Sequence, residues 1–374
     1  MSKLLPLLLY FIFLHFSCQV KGLPGRRDIV SQWKLPGDET TNVTNIIRSL
    51  RGKQINDSDR IYLDDEHDVR AANYLNSSLS SRLIPTAYLV TILIGVPSNV
   101  IIMKMLCSKI KTFSSAILYM SLAVSDLLTL LTLTLKVHYY YNGSNWIFGE
   151  TLCRVVTASF YGNIYCSIYM HMCLSFRRYM AVAHPFMYKN LPRFWCSMWI
   201  TLIACAVLLI AMVPELLVRQ SYNIHQLNAT TCHDIIPTNM EYYNFLLYYK
   251  LGLTCWGFFI PFMVTIFSYV SIIRKLNKSH FDWMSYIMIS SLVFAIFLIC
   301  FTPSNVFHFV HYINLRIGNE DSFYIYYSTM LCLCSLHCSL DPFLFFLMAR
   351  TTGSGIVLIT HKEKDVQLKD SVSF

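Results

Sequence analysis

The sequence predicts an all-α membrane protein: a bundle of seven transmembrane helices behind a disordered extracellular N-terminal segment. Between Leu83 and Met348, seven apolar stretches are separated by short polar connections. Each is long enough to cross a bilayer, which needs about 20 residues at about 1.5 Å rise per residue. The chain is 55% hydrophobic and only 14% charged, and most of these runs lack the polar face that a soluble helical protein keeps toward water. The basic residues alternate from one connection to the next, as a fixed orientation in a membrane requires.

Residues 1–18 read as a cleaved signal peptide. Lys3 supplies the charged start, Leu4 to Leu14 the apolar core and Ser17-Cys18 the region of cleavage, and the run is too short to be an eighth membrane helix. A polar, broken segment follows to residue 82, with the composition of disordered chain. The spans are expected at 83–107, 116–138, 151–183, 195–218, 242–273, 284–313 and 322–348, with a cytoplasmic tail over 349–374.

Orientation follows from Lys and Arg. Lys109 and Lys111, then Arg177, Arg178, Lys189 and Arg193, then Arg274, Lys275 and Lys278, and finally Arg350 all fall on one side. The opposite loops carry none at 139–150 and only Arg219 at 219–241. The N-terminus is therefore outside and the C-terminus inside. The formal charge of +9 belongs to this topology, so lipid is a partner and nucleic acid is not. Sequons at Asn42, Asn56, Asn76, Asn142 and Asn228 fall outside as candidate glycosylation sites, while one at Asn277 falls inside and shows how weak the motif is. Most of the 13 cysteines lie within spans. Cys153 and Cys232 face outward and are the pair expected to bond.

No HExxH, GxSxG or phosphate loop supports an enzyme, and the halves show no paired broken helices of the transporter kind. Particular residues decide among the rest: Gly95 and Asn99 in span one, Leu122-Ala-Val-Ser-Asp126 in span two, Arg177-Arg178-Tyr179 ending span three, Pro261 and Tyr269 in span five, Phe297-Leu-Ile-Cys300-Phe301-Thr-Pro303 in span six and Asp341-Pro342 in span seven. In this order, over residues 83 to 350, they resemble the rhodopsin-like G protein-coupled receptors, which implies a heterotrimeric G protein as partner. Asp126 is an acid at mid-membrane depth and calls for partners. With Asn99, Ser167 and Asp341 it makes a polar pocket that in the family takes a sodium ion; a hydrogen-bonded water network serves equally, and no other cofactor is implied. Pro261, Pro303 and Pro342 each remove a helix hydrogen bond and give a kink or hinge.

The fourth connection, Asn228-Ala-Thr-Thr231-Cys232-His233-Asp234, resembles the second extracellular loop of the protease-activated receptors. Pro214-Glu-Leu-Leu-Val-Arg-Gln220, Trp146-Ile-Phe-Gly-Glu150, Cys300-Phe-Thr-Pro-Ser-Asn305 and Ser339-Leu-Asp-Pro-Phe343 fit the same subfamily, most closely its third, thrombin-cleaved subtype. The resemblance implies cleavage at Arg48–Ser49 and a tethered ligand Ser49-Leu50-Arg51-Gly52-Lys53-Gln54, with thrombin or another trypsin-like serine protease as partner. Rival cleavage points stand at Arg26, Arg27, Arg51 and Arg60. Tyr62, Asp64, Asp65, Glu66 and Asp68 resemble a docking segment for a basic exosite, although a solvated acidic linker is the common meaning of such a run. The ligand pocket carries over to Tyr161, His233, Asp234, His311, Tyr312 and Tyr327.

Three positions depart from the family. Arg177 stands where an acid normally holds the next arginine. Phe345 stands where a tyrosine hydroxyl would bridge toward Tyr269. No tryptophan occupies the middle of span four near Cys205. A weakly signalling co-receptor that presents protease or ligand to another protease-activated receptor is therefore the second reading.

Overall fold

The computed structural model describes residues 51–54, 60–63, 79–109, 116–224, 229–233, 236–237, 243–277, 284–317 and 323–347. The spans run over Ile84–Lys109, Ala116–Tyr141, Gly149–Ala183 and Arg193–Leu217, then 243–276, 284–317 and 323–347. Each expected span is present with ends within a few residues. Among the described residues, six helices are both long and apolar enough to cross a membrane.

The exception is span three, which corrects the expectation of seven apolar stretches. Its 35 residues give ample length, but it buries Asn163, Ser167, His171, Ser175 and Arg178. It packs against spans two, four, five and six, so its surroundings are protein rather than lipid and tolerate polar side chains. The apolar residues that meet lipid sit on the outer helices, where Leu93 and Leu209 are each 72% exposed.

Spans five and six contain wide π turns at Cys255–Phe259 and Phe297–Phe301, just before Pro261 and Pro303. A proline cannot donate to the helix ladder and its ring crowds the carbonyl four residues back; a π turn absorbs that misfit. Gly257 lies in the first of them. A Cβ there would stand 2.5 Å from the Tyr165 ring, so glycine is what lets spans five and three approach. Span seven is interrupted at Leu336, which is not helical.

Outside the bundle, strands β1 (Arg51–Gln54), β2 (Arg60–Leu63), β3 (Ser221–Ile224), β4 (Ala229–Cys232) and β5 (Ile236–Pro237) form one sheet in the order β4-β3-β2-β1-β5. β3 and β4 are the antiparallel hairpin of the fourth connection; β2 adds parallel to β3, pairing Arg60 with Asn223 and Ile61 with Ile224. β1 is antiparallel to β2 and parallel to β5. Of the N-terminal segment before residue 79, only the two short strands β1 and β2 are described. The open edge of the loop hairpin offers unpaired backbone groups, and extended chain satisfies them by strand addition.

Arg48, Ser49, Leu50, Asp64, Asp65, Glu66, Asp68, Asp234, Asn42, Asn56, Asn76 and Asn228 lie outside the described residues, as do residues 1–18 and the tail. Asn142 is described and exposed, in the turn after span two.

Candidate functional site

The fourth connection is held over the bundle as a lid by three ties. Cys153, near the start of span three, is bonded to Cys232 with their Cα atoms 5.7 Å apart. Glu150 accepts the backbone N–H of Gln220 at 2.9 Å and of Ser221 at 2.7 Å, and the Nε–H of Arg154 at 2.6 Å. Trp146 donates its backbone N–H to the Thr230 carbonyl at 2.7 Å, while Asn145 Oδ1 accepts from Thr230 N–H at 3.0 Å. Replacing Cys153 or Cys232 with serine should lower surface expression, and the double replacement should cost little more than either; additive losses would mean that the two act separately.

The lid directs His233 into the pocket. Its φ of 74° is a left-handed conformation costly for a side-chain-bearing residue, and it is secured by a bond from His233 N–H to the Gln220 carbonyl at 2.8 Å. Gln220 Oε1 can only accept, so the imidazole donates from Nδ1 at 2.9 Å and accepts at Nε2 from the Tyr161 hydroxyl at 2.9 Å. The Tyr327 hydroxyl then donates to Tyr161 at 2.5 Å. The His311 ring stacks on Tyr327 at 5.6 Å, and His308 packs against Tyr312 at 4.6 Å. Tyr161, His233, His311, Tyr312 and Tyr327 are thus brought together.

Below them lies a network that the sequence reading missed. Lys250 of span five is ion-paired with Glu215 of span four, both almost wholly buried. Glu215 Oε2 accepts from Gln220 Nε2 at 2.9 Å, which links the pair to the lid. The Lys250 ammonium stands 5.0 Å from the centre of the Tyr161 ring. Thr254 donates to the Lys250 carbonyl at 3.0 Å and accepts from His308 Nδ1 at 2.7 Å. The signal was present: an ionisable residue inside an apolar run is functional by default, and Glu215 and Lys250 both qualify.

Burial, then the nearby Lys250, Lys136, His308 and His311, hold His233 well below its ordinary value of 6.5. The unfolded imidazole gains a proton below about 6.5, whereas the folded one stays neutral. The unfolded state therefore binds more protons in that window, and stability falls as pH drops through it. Thermal denaturation between pH 7.5 and 5.5 should show this loss, and His233→Gln should flatten it.

A second polar centre lies at mid-membrane depth. Asp126 and Asp341 are both buried, and His171 donates to Asp341 Oδ1 at 3.0 Å. Asn163 donates to Ser125 Oγ at 2.9 Å and Asp126 Oδ1 at 3.2 Å. Asn99 spends its amide N–H groups on the Gly95 and Cys338 carbonyls. Asp126 Oδ2, Asp341 Oδ2 and Ser167 Oγ are buried without a hydrogen-bond partner among the described residues. These oxygens are what a sodium ion would use. The wall beside Asp126, however, is His337 Nε2 at 3.7 Å and the adjoining Cys338 thiol. A hard ion wants oxygen, and these three orphaned oxygens fit one; His337 and Cys338 face the other carboxylate oxygen, Oδ1.

At the inner end, Arg177 turns away from Arg178. It donates to the Tyr188 hydroxyl at 3.0 Å and to Ser197 Oγ of span four. Arg178 points inward and donates to the Tyr119 hydroxyl of span two at 3.2 Å; Phe345 packs edge-on against the same tyrosine at 5.4 Å. Tyr269 meets Ser291 of span six at 3.2 Å, and Tyr179 packs against Phe267 at 5.3 Å.

Residues 98–345 match the family model of the 7 transmembrane receptor (rhodopsin family). The chain is 41% identical to proteinase-activated receptor 3 of Homo sapiens over 77% of each protein. It is 34% identical to proteinase-activated receptor 2 of Homo sapiens, over 75% of this chain and 72% of the relative. With proteinase-activated receptor 1 of Xenopus laevis it shares 31% identity, over 74% of this chain and 66% of the relative. The chain belongs to the rhodopsin family of seven-transmembrane receptors and, within it, to the proteinase-activated receptors: G protein-coupled, multi-pass proteins of the plasma membrane, and not enzymes.

Proposed function

We propose that this receptor is switched on by thrombin, which cuts between Arg48 and Ser49 and frees Ser49-Leu50-Arg51-Gly52-Lys53-Gln54 as a tethered agonist. Residues 1–18 are the signal peptide, 19–48 the released segment, 49–82 the ligand and protease-docking segment, 83–348 the receptor domain and 349–374 the cytoplasmic tail. The N-terminus is outside, glycosylated at Asn42, Asn56, Asn76, Asn142 and Asn228.

What carries this reading is the position of β1. Arg51–Gln54 pairs with β5 and, through β2, joins the lid hairpin. Ser49 lies two residues before that strand, within about 7 Å of extended chain. On this reading Asp234 is the natural partner of the new ammonium on Ser49, or of Arg51. Tyr161, Tyr312 and Tyr327 offer an amphipathic wall for Leu50. Tyr62, Asp64, Asp65, Glu66 and Asp68 capture the protease by electrostatic steering.

The test is digestion of the intact receptor by thrombin, with mass mapping of the new N-terminus. A start at Ser49 supports the proposal, and a start at Gly52 or Ile61 overturns it. Neutralising Asp64, Asp65 and Glu66 should slow thrombin at low concentration but leave trypsin nearly unchanged. Equal slowing of both removes the docking role.

Arg177 and Phe345 favour a second reading, a co-receptor of weak intrinsic signalling. Arg177 is a cation where the family carries an acid, so it cannot pair with Arg178 and donates to Tyr188 and Ser197 instead, and Phe345 has no hydroxyl to bridge toward Tyr269. Each change is worth about 1 kcal/mol, as for a net hydrogen bond, and they act on opposite states. Phe345→Tyr should raise the maximal response to cleavage, and Arg177→Asp should mainly lower the basal level, both in one second-messenger assay. An unchanged, robust response in Phe345→Tyr makes the receptor fully competent alone.

A further inference from the structure

Between spans two, three and seven, four side-chain atoms able to ligate a metal ion converge on one point. His337 Nδ1 lies 2.6 Å from the Cys334 carbonyl, which only accepts, so the ring carries its proton there. In the neutral ring Nε2 is then an acceptor, to which the Cys338 thiol can donate. It faces Asn163 Oδ1 at 3.0 Å, Cys338 Sγ at 3.5 Å and Asp126 Oδ1 at 3.7 Å. Cys338 Sγ stands 3.8 Å from Asn163 Oδ1. The amide cannot be reversed to supply a proton, because its Nδ2 already donates to Ser125 and to the Asp126 carboxylate.

Neighbouring residues on a regular helix point about 100° apart, which would separate His337 from Cys338. The interruption at Leu336 alters that: its carbonyl accepts from both Ser339 N–H at 3.0 Å and Leu340 N–H at 3.2 Å, a tightened turn. All four side chains are more than nine-tenths buried, and Asp126 Oδ2 has no hydrogen-bond partner among the described residues.

We propose that Asp126, His337, Cys338 and Asn163 form a tetrahedral site for one divalent transition-metal ion of the zinc class. A zinc ion with nitrogen or oxygen at about 2.0–2.1 Å and sulfur at about 2.3 Å sets its ligands roughly 3.3–3.6 Å apart. The printed separations of 3.0–3.8 Å surround that value. The hydrogen bond from Nδ1 to Cys334 is the outer support that orients a metal-binding imidazole. Charge also balances: Cys338 gives up its proton to solvent on binding, and thiolate plus carboxylate neutralise a divalent ion in the low-dielectric interior. Asp341 is already engaged by His171. The bound ion would tie spans two, three and seven together.

The experiment uses the purified full-length receptor, stripped with chelator and titrated with Co2+ and, separately, Zn2+. One Co2+ per receptor is expected, with the near-ultraviolet band of a cobalt–thiolate bond and the visible bands of a tetrahedral ion; Zn2+ should displace it and raise the melting temperature. Cys338→Ser should remove the thiolate band, and His337→Asn, which removes a direct ligand, should weaken binding by more than the about hundredfold that loss of an outer partner costs. Either variant alone suffices if the other fails to reach the surface. The proposal is overturned if wild type gives no thiolate band, if the band survives in Cys338→Ser, or if NaCl stabilises the receptor over choline chloride while Zn2+ does nothing.

Discussion

Arg48→Ala should abolish the response to thrombin while leaving intact the response to a synthetic peptide Ser-Leu-Arg-Gly-Lys-Gln. A trypsin-like protease needs a basic side chain before the scissile bond, and without that cut no ammonium forms at Ser49. The cluster of Tyr161, His233, His311, Tyr312 and Tyr327, proposed above as the ligand pocket, is untouched by the change, so added peptide should still act. The peptide should nevertheless be needed at high concentration. A tethered ligand acts at an effective concentration on the order of millimolar, so modest intrinsic affinity is enough for a segment that stays attached to the receptor. Second-messenger dose–response curves for protease and peptide, on cells with equal surface receptor, make the comparison. A full thrombin response in Arg48→Ala would move the activating cut to Arg51 or Arg60.

Breaking the Glu215–Lys250 pair from one side should be the most damaging single change in the bundle. Both groups are almost completely buried, and removing one partner strands the other charge, at about 3–5 kcal/mol. Glu215→Gln keeps the bond from Gln220 but leaves the ammonium uncompensated beneath Tyr161; Lys250→Met leaves the carboxylate instead. Each should sharply lower the melting temperature and surface expression. The double variant Glu215→Gln, Lys250→Met should recover much of the loss, because no unpaired charge remains. Losses that simply add would show that each residue is held by other groups and that the pair is not the unit. The same pair lies under His233, so ligand response should fall with stability in the single variants.

The seven spans were legible because a bilayer acts on residues one at a time. A run such as Arg193–Leu217 declares its environment by apolarity alone, and the alternation of Lys and Arg declares its direction. The pocket tyrosines and His233 were legible only through the family pattern. Span three shows where this reading thins. Its polar residues look unsuited to lipid in one dimension, and only the packing of other helices around it, span seven's Asp341 and His337 among them, explains them.

The number and length of the spans and the fold class were therefore determined by the sequence itself, since each depends on how a residue partitions between water and hydrocarbon. The tertiary structure alone decided which polar groups meet. Glu150 reaches the backbone of Gln220 and Ser221, Lys250 reaches Glu215, and His337 and Cys338 converge on Asp126 only because the turn at Leu336 swings them to one side. Strands β1 and β2 join the lid by backbone bonds that no side-chain pattern encodes. Such contacts join residues far apart in the chain, and their strength depends on distance and on the exclusion of water, two quantities that exist only once the helices are packed.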